Sequence, residues 1–370
     1  RGMMKASGAS KPEAGTGTGS PFGDYELSGT LLTPSWQDGT LDDIPFAARI
    51  SGKNVDVVLG TLDEVYVGIK SGGDVRIRLA PALPLSFDAV GRISDGSISL
   101  DVQGASVDMP FLFDLISLPI VRADSGTASG NIKIRGKLRD PTVEGIVEFD
   151  NVYMSVPDYV AAPIGPFVEP LYFNGRTMET LQPNLSGGEA SVVLSLEAIL
   201  NGGIPDDVRL SVKTNADGNV PVSTQLLGLE VKGVAKPDLR IEANRDRSRI
   251  NGSILLSAGD VVITTGVVRR SGVEPWDRDF SGSLDLSFGK GVQAYFPNKR
   301  LPVIYGLTDP SSRLVVAFDM ARGDYSIKGA TVLRGGSVFY IQRNFYLKNA
   351  TIEFDENADQ FDPKINAEAE

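Results

Sequence analysis

The sequence predicts an all-β fold, an elongated and curled sheet of antiparallel type with one or two short helices. Three observations predict it. Apolar and polar residues alternate with period two from Asp24 onward, as they do in strands with one buried face. Turn signals rich in Gly, Asp and Asn (SDGS, SGG, NADGN, GKG, RGG) interrupt the alternation, about every ten residues. The rhythm also runs through most of the 370 residues without a centre, past the roughly 200–250 residues at which one barrel or sandwich normally ends. A sheet that grows strand by strand, each strand against its neighbours, describes this better.

Taken in order, Arg1 to Gly23 is rich in Gly, Ser, Thr and Ala and has little to bury, so residues 1–23 read as a flexible lead-in. Residues 24–370 read as one repetitive β-domain. VRIRL places Val75, Ile77 and Leu79 on one face and Arg76 and Arg78 on the other. SISLDV does the same with Ile98, Leu100 and Val102. Between them and the next strands, SVDMPFLFDLISLP reads as a short helix after Asp108, with Pro110 in its first turn and Pro119 at its end. NIKIRG then gives Ile132 and Ile134; IVEF gives Val147 and Phe149; VYMSV gives Val152, Met154 and Val156. Later come VVLSLEA (Val192, Leu194, Leu196), VRLSVKT (Val208, Leu210, Val212), LRIEA (Leu239, Ile241), SILLS (Ile254, Leu256) and SLDLSF (Leu284, Leu286, Phe288). The last strands are VFYIQ (Phe339, Ile341), FYLK (Phe345, Leu347) and TIEF (Ile352, Phe354).

Composition removes whole classes of function. The chain has no Cys and no His, so thiolate chemistry, Ser-His-Asp chemistry and His-based metal sites are excluded within it. A net charge of −11 argues against nucleic acid as a partner, which needs a basic face. The most apolar run, Met109 to Val121, is broken by Asp114 and two prolines and falls short of the ~20 residues of a membrane span. No cofactor and no metal is expected. DENADQFD (Asp355 to Asp362) has acids but neither the spacing nor the central Gly of an EF-hand. The acid pairs Asp42–Asp43 and Asp206–Asp207 point to opposite faces of a strand rather than together. Gly266 to Phe280, with Arg269, Arg270 and Trp276, reads as an exposed loop.

A long sheet with one apolar face must cover that face. It can pack on a second sheet, close into a barrel, or curl into a gutter that something else fills. Each strand alone reads as half of an ordinary sandwich. Taken together, no separate set of strands or helices is evident as a second layer. A lipid suits the gutter: at ~0.8 kcal/mol per methylene, two acyl chains of about sixteen carbons would cost roughly 25 kcal/mol to expose to water.

The C-terminal residues Arg313–Glu370 resemble the C-terminal region of the TamB family, AsmA-like inner-membrane subunits of the translocation and assembly module. The phrase is Gly329, a strand, the turn Gly335–Gly336, an aromatic strand from Phe339 to Phe345, a strand Thr351 to Asp355, then Pro363 and the alternation Ile365 to Ala369. A second phrase, G-x-L-x-x-P followed by Gly, occurs as Gly29, Leu31, Pro34, Gly39 and as Gly136, Leu138, Pro141, Gly145, with a shortened copy at Gly233 to Pro237. The resemblance spans most of residues 24–370 and is densest over 310–370.

It implies a U-shaped, elongated "β-taco" with an apolar groove, in a periplasmic part of an inner-membrane-anchored protein of a diderm bacterium. Implied partners are phospholipids, an outer-membrane assembly protein of the BamA superfamily, and the inner membrane through a segment outside this chain. The chain begins at Arg1 without the family's N-terminal membrane helix and stops short of its usual end, so it reads as a piece of a longer protein. The expected function is a non-enzymatic conduit for phospholipid acyl chains between the two membranes, supporting outer-membrane biogenesis. The alternatives are a β-solenoid or adhesin-like scaffold with a filled core, and a carbohydrate-active enzyme on a β-helix. The residues assigned to the groove are Ile132, Ile134, Val147, Phe149, Met154, Leu194, Leu196, Leu210, Ile241, Ile254, Leu256, Leu284, Leu286, Phe288, Phe339, Ile341, Phe345, Leu347, Ile352 and Phe354.

Overall fold

The computed structural model describes residues 3–9, 25–32, 35–36, 39–40, 44–60, 64–116, 121–182, 184–185, 188–215, 217–226, 228–244, 246–264, 279–340, 343–357 and 361–370. They form a single long, curled, almost entirely β sheet in which spatial order follows chain order. Within the lead-in, Met3–Ala9 departs from expectation: it is a strand antiparallel to Tyr25–Leu32. The ladder continues antiparallel through Ile44–Ser51, Asn54–Leu59, Val65–Ile69, Asp74–Leu79, Leu85–Ser94, Ser97–Asp108, Arg122–Lys137 and Asp140–Ser155. It passes through Leu171–Gly175, Thr177–Thr180, Val193–Asn201, Ile204–Lys213 and Leu229–Ala243 to Arg247–Ile263. Asp279–Phe296 then joins in parallel. Arg313–Asp319, Asp324–Tyr340, Arg343–Asn357 and Lys364–Ala369 complete the sheet antiparallel.

The hairpin phrase quoted around Gly136 and Pro141 is one turn of this ladder, closing at the pair Lys137 and Asp140. Its last glycine is a contact requirement: a Cβ on Gly145, at φ +148°, would stand 2.2 Å from the carbonyl oxygen of Asn131. The helix forms over Met109–Ile116, directly after Asp108 and with Pro110 in its first turn, where the missing proline N–H costs no helical bond.

The alternation holds its phase on almost every strand read from the sequence. The exception is VFYIQ. Gly335, at φ +65°, is an extra residue on Asp324–Tyr340 relative to Ile304–Thr308, where Gly306 faces Gly336 and Leu307 faces Arg334. One inserted residue exchanges the two faces of everything beyond it. Val338 therefore packs inward, and Phe339 points outward, 42% exposed.

The sheet rolls shut at its C-terminal end. Leu229, Ile263, Leu314, Ile327, Leu333, Leu347 and Ile352 are all fully buried in one cluster. Phe361 closes it: its ring lies 6.2 Å from that of Phe354 and against Gly228, at the start of the roll. Glu356, itself buried, accepts the backbone N–H of Asp362 at 2.7 Å and so holds Phe361 in place.

Candidate functional site

Three apolar rows cross the strands from Ile44 to Val107. In the middle row Ala48, Val57, Val67, Ile77, Ala89, Val102 and Ile132 are successive cross-strand partners. Beside it run Ile50, Val55, Ile69, Val75, Gly91, Leu100, Ile134 and Val143. On the other side run Phe46, Leu59, Val65, Leu79 and Phe87. Directly paired side chains stand ~4.5–5.5 Å apart at Cβ, so the three rows make an unbroken apolar floor. No ionisable residue interrupts it.

The floor is not roofed. None of the four buried clusters among the described residues includes a residue between Ile44 and Ser106. Val57, Val67, Ile77 and Val102 are half-buried, while Phe46, Val75, Ala89 and Leu100 in the same rows are buried. Ile50 and Ile69 are 39% and 42% exposed on this same face. The opposite face is wet. Arg76 donates to both carboxylate oxygens of Asp88, at 2.6 and 3.2 Å, and Arg92 and Arg135 pair with Asp74 and Asp101. Tyr66 donates its hydroxyl to Asp56 at 2.7 Å, and that hydrogen bond to a carboxylate holds the phenol above its ordinary pKa. Exposed pairs of this kind add little stability each; they show which side faces water.

Further along, the floor becomes covered by the chain itself. The helix Met109–Ile116 lies on it: Met109, Leu112 and Phe113 pack with Ala123, Ala128, Val152 and Phe167. A smaller cluster of Val143, Met178, Ala198 and Leu200 follows. From Leu229 onward the roll is filled.

The predicted groove residues therefore divide. Ile134 continues an open row, while Ile132 packs on the cluster of Val143, Met178, Ala198 and Leu200. Val147, Phe149, Met154 and Leu194 lie against the helix cluster, and Leu196 against the next one. Leu210, Ile241, Leu284 and Phe345 are half-buried, and Ile254 and Leu286 pack on the rolled core. Five assignments are corrected: Leu256, Phe288, Leu347, Ile352 and Phe354 are buried inside the roll with at most 4% of their surface exposed, so they fill an interior rather than line an open one. Phe339 is corrected by the phase change at Gly335. Ile341 lies outside the described residues, as do Asp42, Asp43, Arg269, Arg270 and Trp276.

The floor residues that sequence reasoning missed are Phe46, Ala48, Ile50, Val55, Val57, Leu59, Val65, Val67, Ile69, Phe87 and Ala89. Their alternation is blurred because Val57 and Val58 are both apolar, as are Val65, Tyr66 and Val67. The signal that would have found them is the next strand, where Arg76 and Arg78 mark the wet face and fix the phase of partners in register with it.

Chemically, the surface can hold extended hydrocarbon and leave polar groups at its open side. Among the described residues no group of three or more metal-ligating side chains converges, and no helix is long and apolar enough to cross a membrane. Comparison with protein-family models, with curated proteins and with solved structures finds no match to this chain.

Proposed function

We propose that the chain is a non-enzymatic carrier that shelters phospholipid acyl chains on the apolar floor between Ile44 and Ile134. The observation that supports this most is the floor itself: three registered rows of apolar side chains, half-buried at Val57, Val67, Ile77 and Val102 and buried at Phe46, Val75, Ala89 and Leu100, with no ionisable group among them and no covering cluster among the described residues. Water against such a surface is costly, at ~25 cal/mol per Å², and an acyl chain laid along it removes that cost on both sides at once. The resemblance to the TamB family extends the proposal to transport across the periplasm towards the outer membrane, with a BamA-superfamily partner.

A photo-crosslinking amino acid at Val67, on the floor, and at Val90, on the outer face, tests it. Phospholipid should couple to the chain at position 67 and not at 90, although Val90 is the half-exposed residue. No coupling at 67, or equal coupling at both, ends the reading. The filled cluster from Leu229 onward favours a second reading for that part alone, a solid scaffold that bears the groove.

A further inference from the structure

The rolled C-terminal part carries an apolar and basic rim. Phe296, Ile304, Val338 and Phe345 are successive partners, so the turn between Phe296 and Ile304 and the hairpin end at Tyr340 and Arg343 lie on one edge of the sheet. The two are joined there, Phe339 donating its N–H to the carbonyl of Val303 at 2.8 Å. At this edge Leu301 is 80% exposed and Tyr340 is 64% exposed. Single exposed apolar residues need no explanation, but these stand above an aromatic ladder: Tyr295 stacks on Tyr305 at 6.2 Å, and Tyr305 on Phe339 at 6.1 Å.

Charge separates this rim from its surroundings. The chain carries −11 overall, yet 286–308 holds Lys290, Lys299 and Arg300 with no acid, and 325–352 holds Lys328, Arg334, Arg343 and Lys348 with no acid, although Lys328, Arg334 and Lys348 are paired with Asp355, Asp309 and Glu370. Of these, Lys299, Arg300 and Arg343 are exposed at the rim. Lys299 sits 5.5 Å over the Tyr295 ring and is paired with Asp260. The opposite ends of the same strands finish in Asp279, Asp319 and Asp324.

We infer that this rim docks edge-on against an anionic lipid bilayer. Leu301 and Tyr340 would enter the headgroup–acyl boundary, the Tyr295–Tyr305–Phe339 ladder would sit at headgroup level, and Arg300 and Arg343 would meet lipid phosphates. The bilayer is favoured over a protein partner because the exposed apolar groups stand at turn tips and on both faces: Phe339 and Tyr340 are consecutive in a strand and point to opposite sides. Edge-on insertion uses both faces, whereas a protein laid on the sheet would use one. The inference rests on the rim alone and not on what the floor between Ile44 and Ile134 carries.

Sedimentation of the whole chain with vesicles tests it. The chain should bind phosphatidylcholine vesicles doped with phosphatidylglycerol, bind pure phosphatidylcholine far more weakly, and lose affinity as salt is raised. Arg300→Glu with Arg343→Glu should weaken binding about tenfold or more, and Leu301→Asp should weaken it as well. Both variants should keep the parental circular dichroism and thermal melt, since all three side chains are exposed. Val90→Asp, on the outer face of the open strands, should leave binding unchanged. No binding to the doped vesicles overturns the inference. So does binding that the rim variants retain, including the case in which they abolish a protein complex instead.

Discussion

The strands between Ile44 and Asp108 and those between Leu229 and Asn357 follow the same two-residue rule, yet only the second set has an interior. Val67 and Leu347 make the contrast at single residues: both face inward on antiparallel strands, but Val67 keeps solvent on its upper side while Leu347 has none. The difference is closure. The later strands roll until Phe361 reaches Gly228 and Phe354, whereas among the described residues only Val107, beside the helix, joins a buried cluster from the earlier set. An apolar face is thus a local property of sequence, and a core is a property of where the far end of the sheet arrives.

The comparison breaks most readily in stability. Leu347→Ala should cost about 2–5 kcal/mol, because it opens a cavity in packed surroundings, while Val67→Ala should cost under ~1 kcal/mol, because its methyl groups are only half removed from water. Urea unfolding of both variants checks this, and equal costs would mean that the early strands are covered in solution. A smaller effect sharpens the closure itself. Glu356→Ala leaves the Asp362 N–H without its buried acceptor and should cost about 1–3 kcal/mol, with Glu356→Gln milder because an acceptor remains; hydrogen exchange at Asp362 reports the release directly.

The smallest expected effect is one of pH at the turn before Arg313–Asp319. Asp309 accepts the Ser311 hydroxyl at 2.6 Å and its N–H at 2.9 Å, with Arg334 at 2.7 Å. These contacts, the Ser311 hydroxyl foremost, hold its carboxyl below the ordinary range. A carboxyl that is more acidic folded than unfolded contributes stability above its unfolded pKa and loses it as pH falls through the folded value. The turn should therefore loosen only in acid, and Asp309→Asn should remove that dependence, as read by exchange at Ser311 and Ser312.

Much of the fold was legible because register and face follow from alternation that Val75, Arg76, Ile77 and Arg78 display in four letters. The site was less legible for a physical reason. SLDLSF and VRIRL have the same pattern, but Phe288 is sealed in the roll and Ile77 is on the open floor; which of them meets water depends on contacts tens of residues away. Phe339 failed differently: in RGGSVFY both Val338 and Phe339 are apolar, so only the geometry of Gly335 decides between them.

The ladder in which nearly every strand bonds to its predecessor has one more consequence. Each added hairpin would lengthen the sheet by two strand spacings, about 9.6 Å, without asking any existing strand to change partner or face. Reach is then a parameter set by duplication rather than redesign, and a molecule built this way can be matched to the width of a gap in steps the size of a single hairpin.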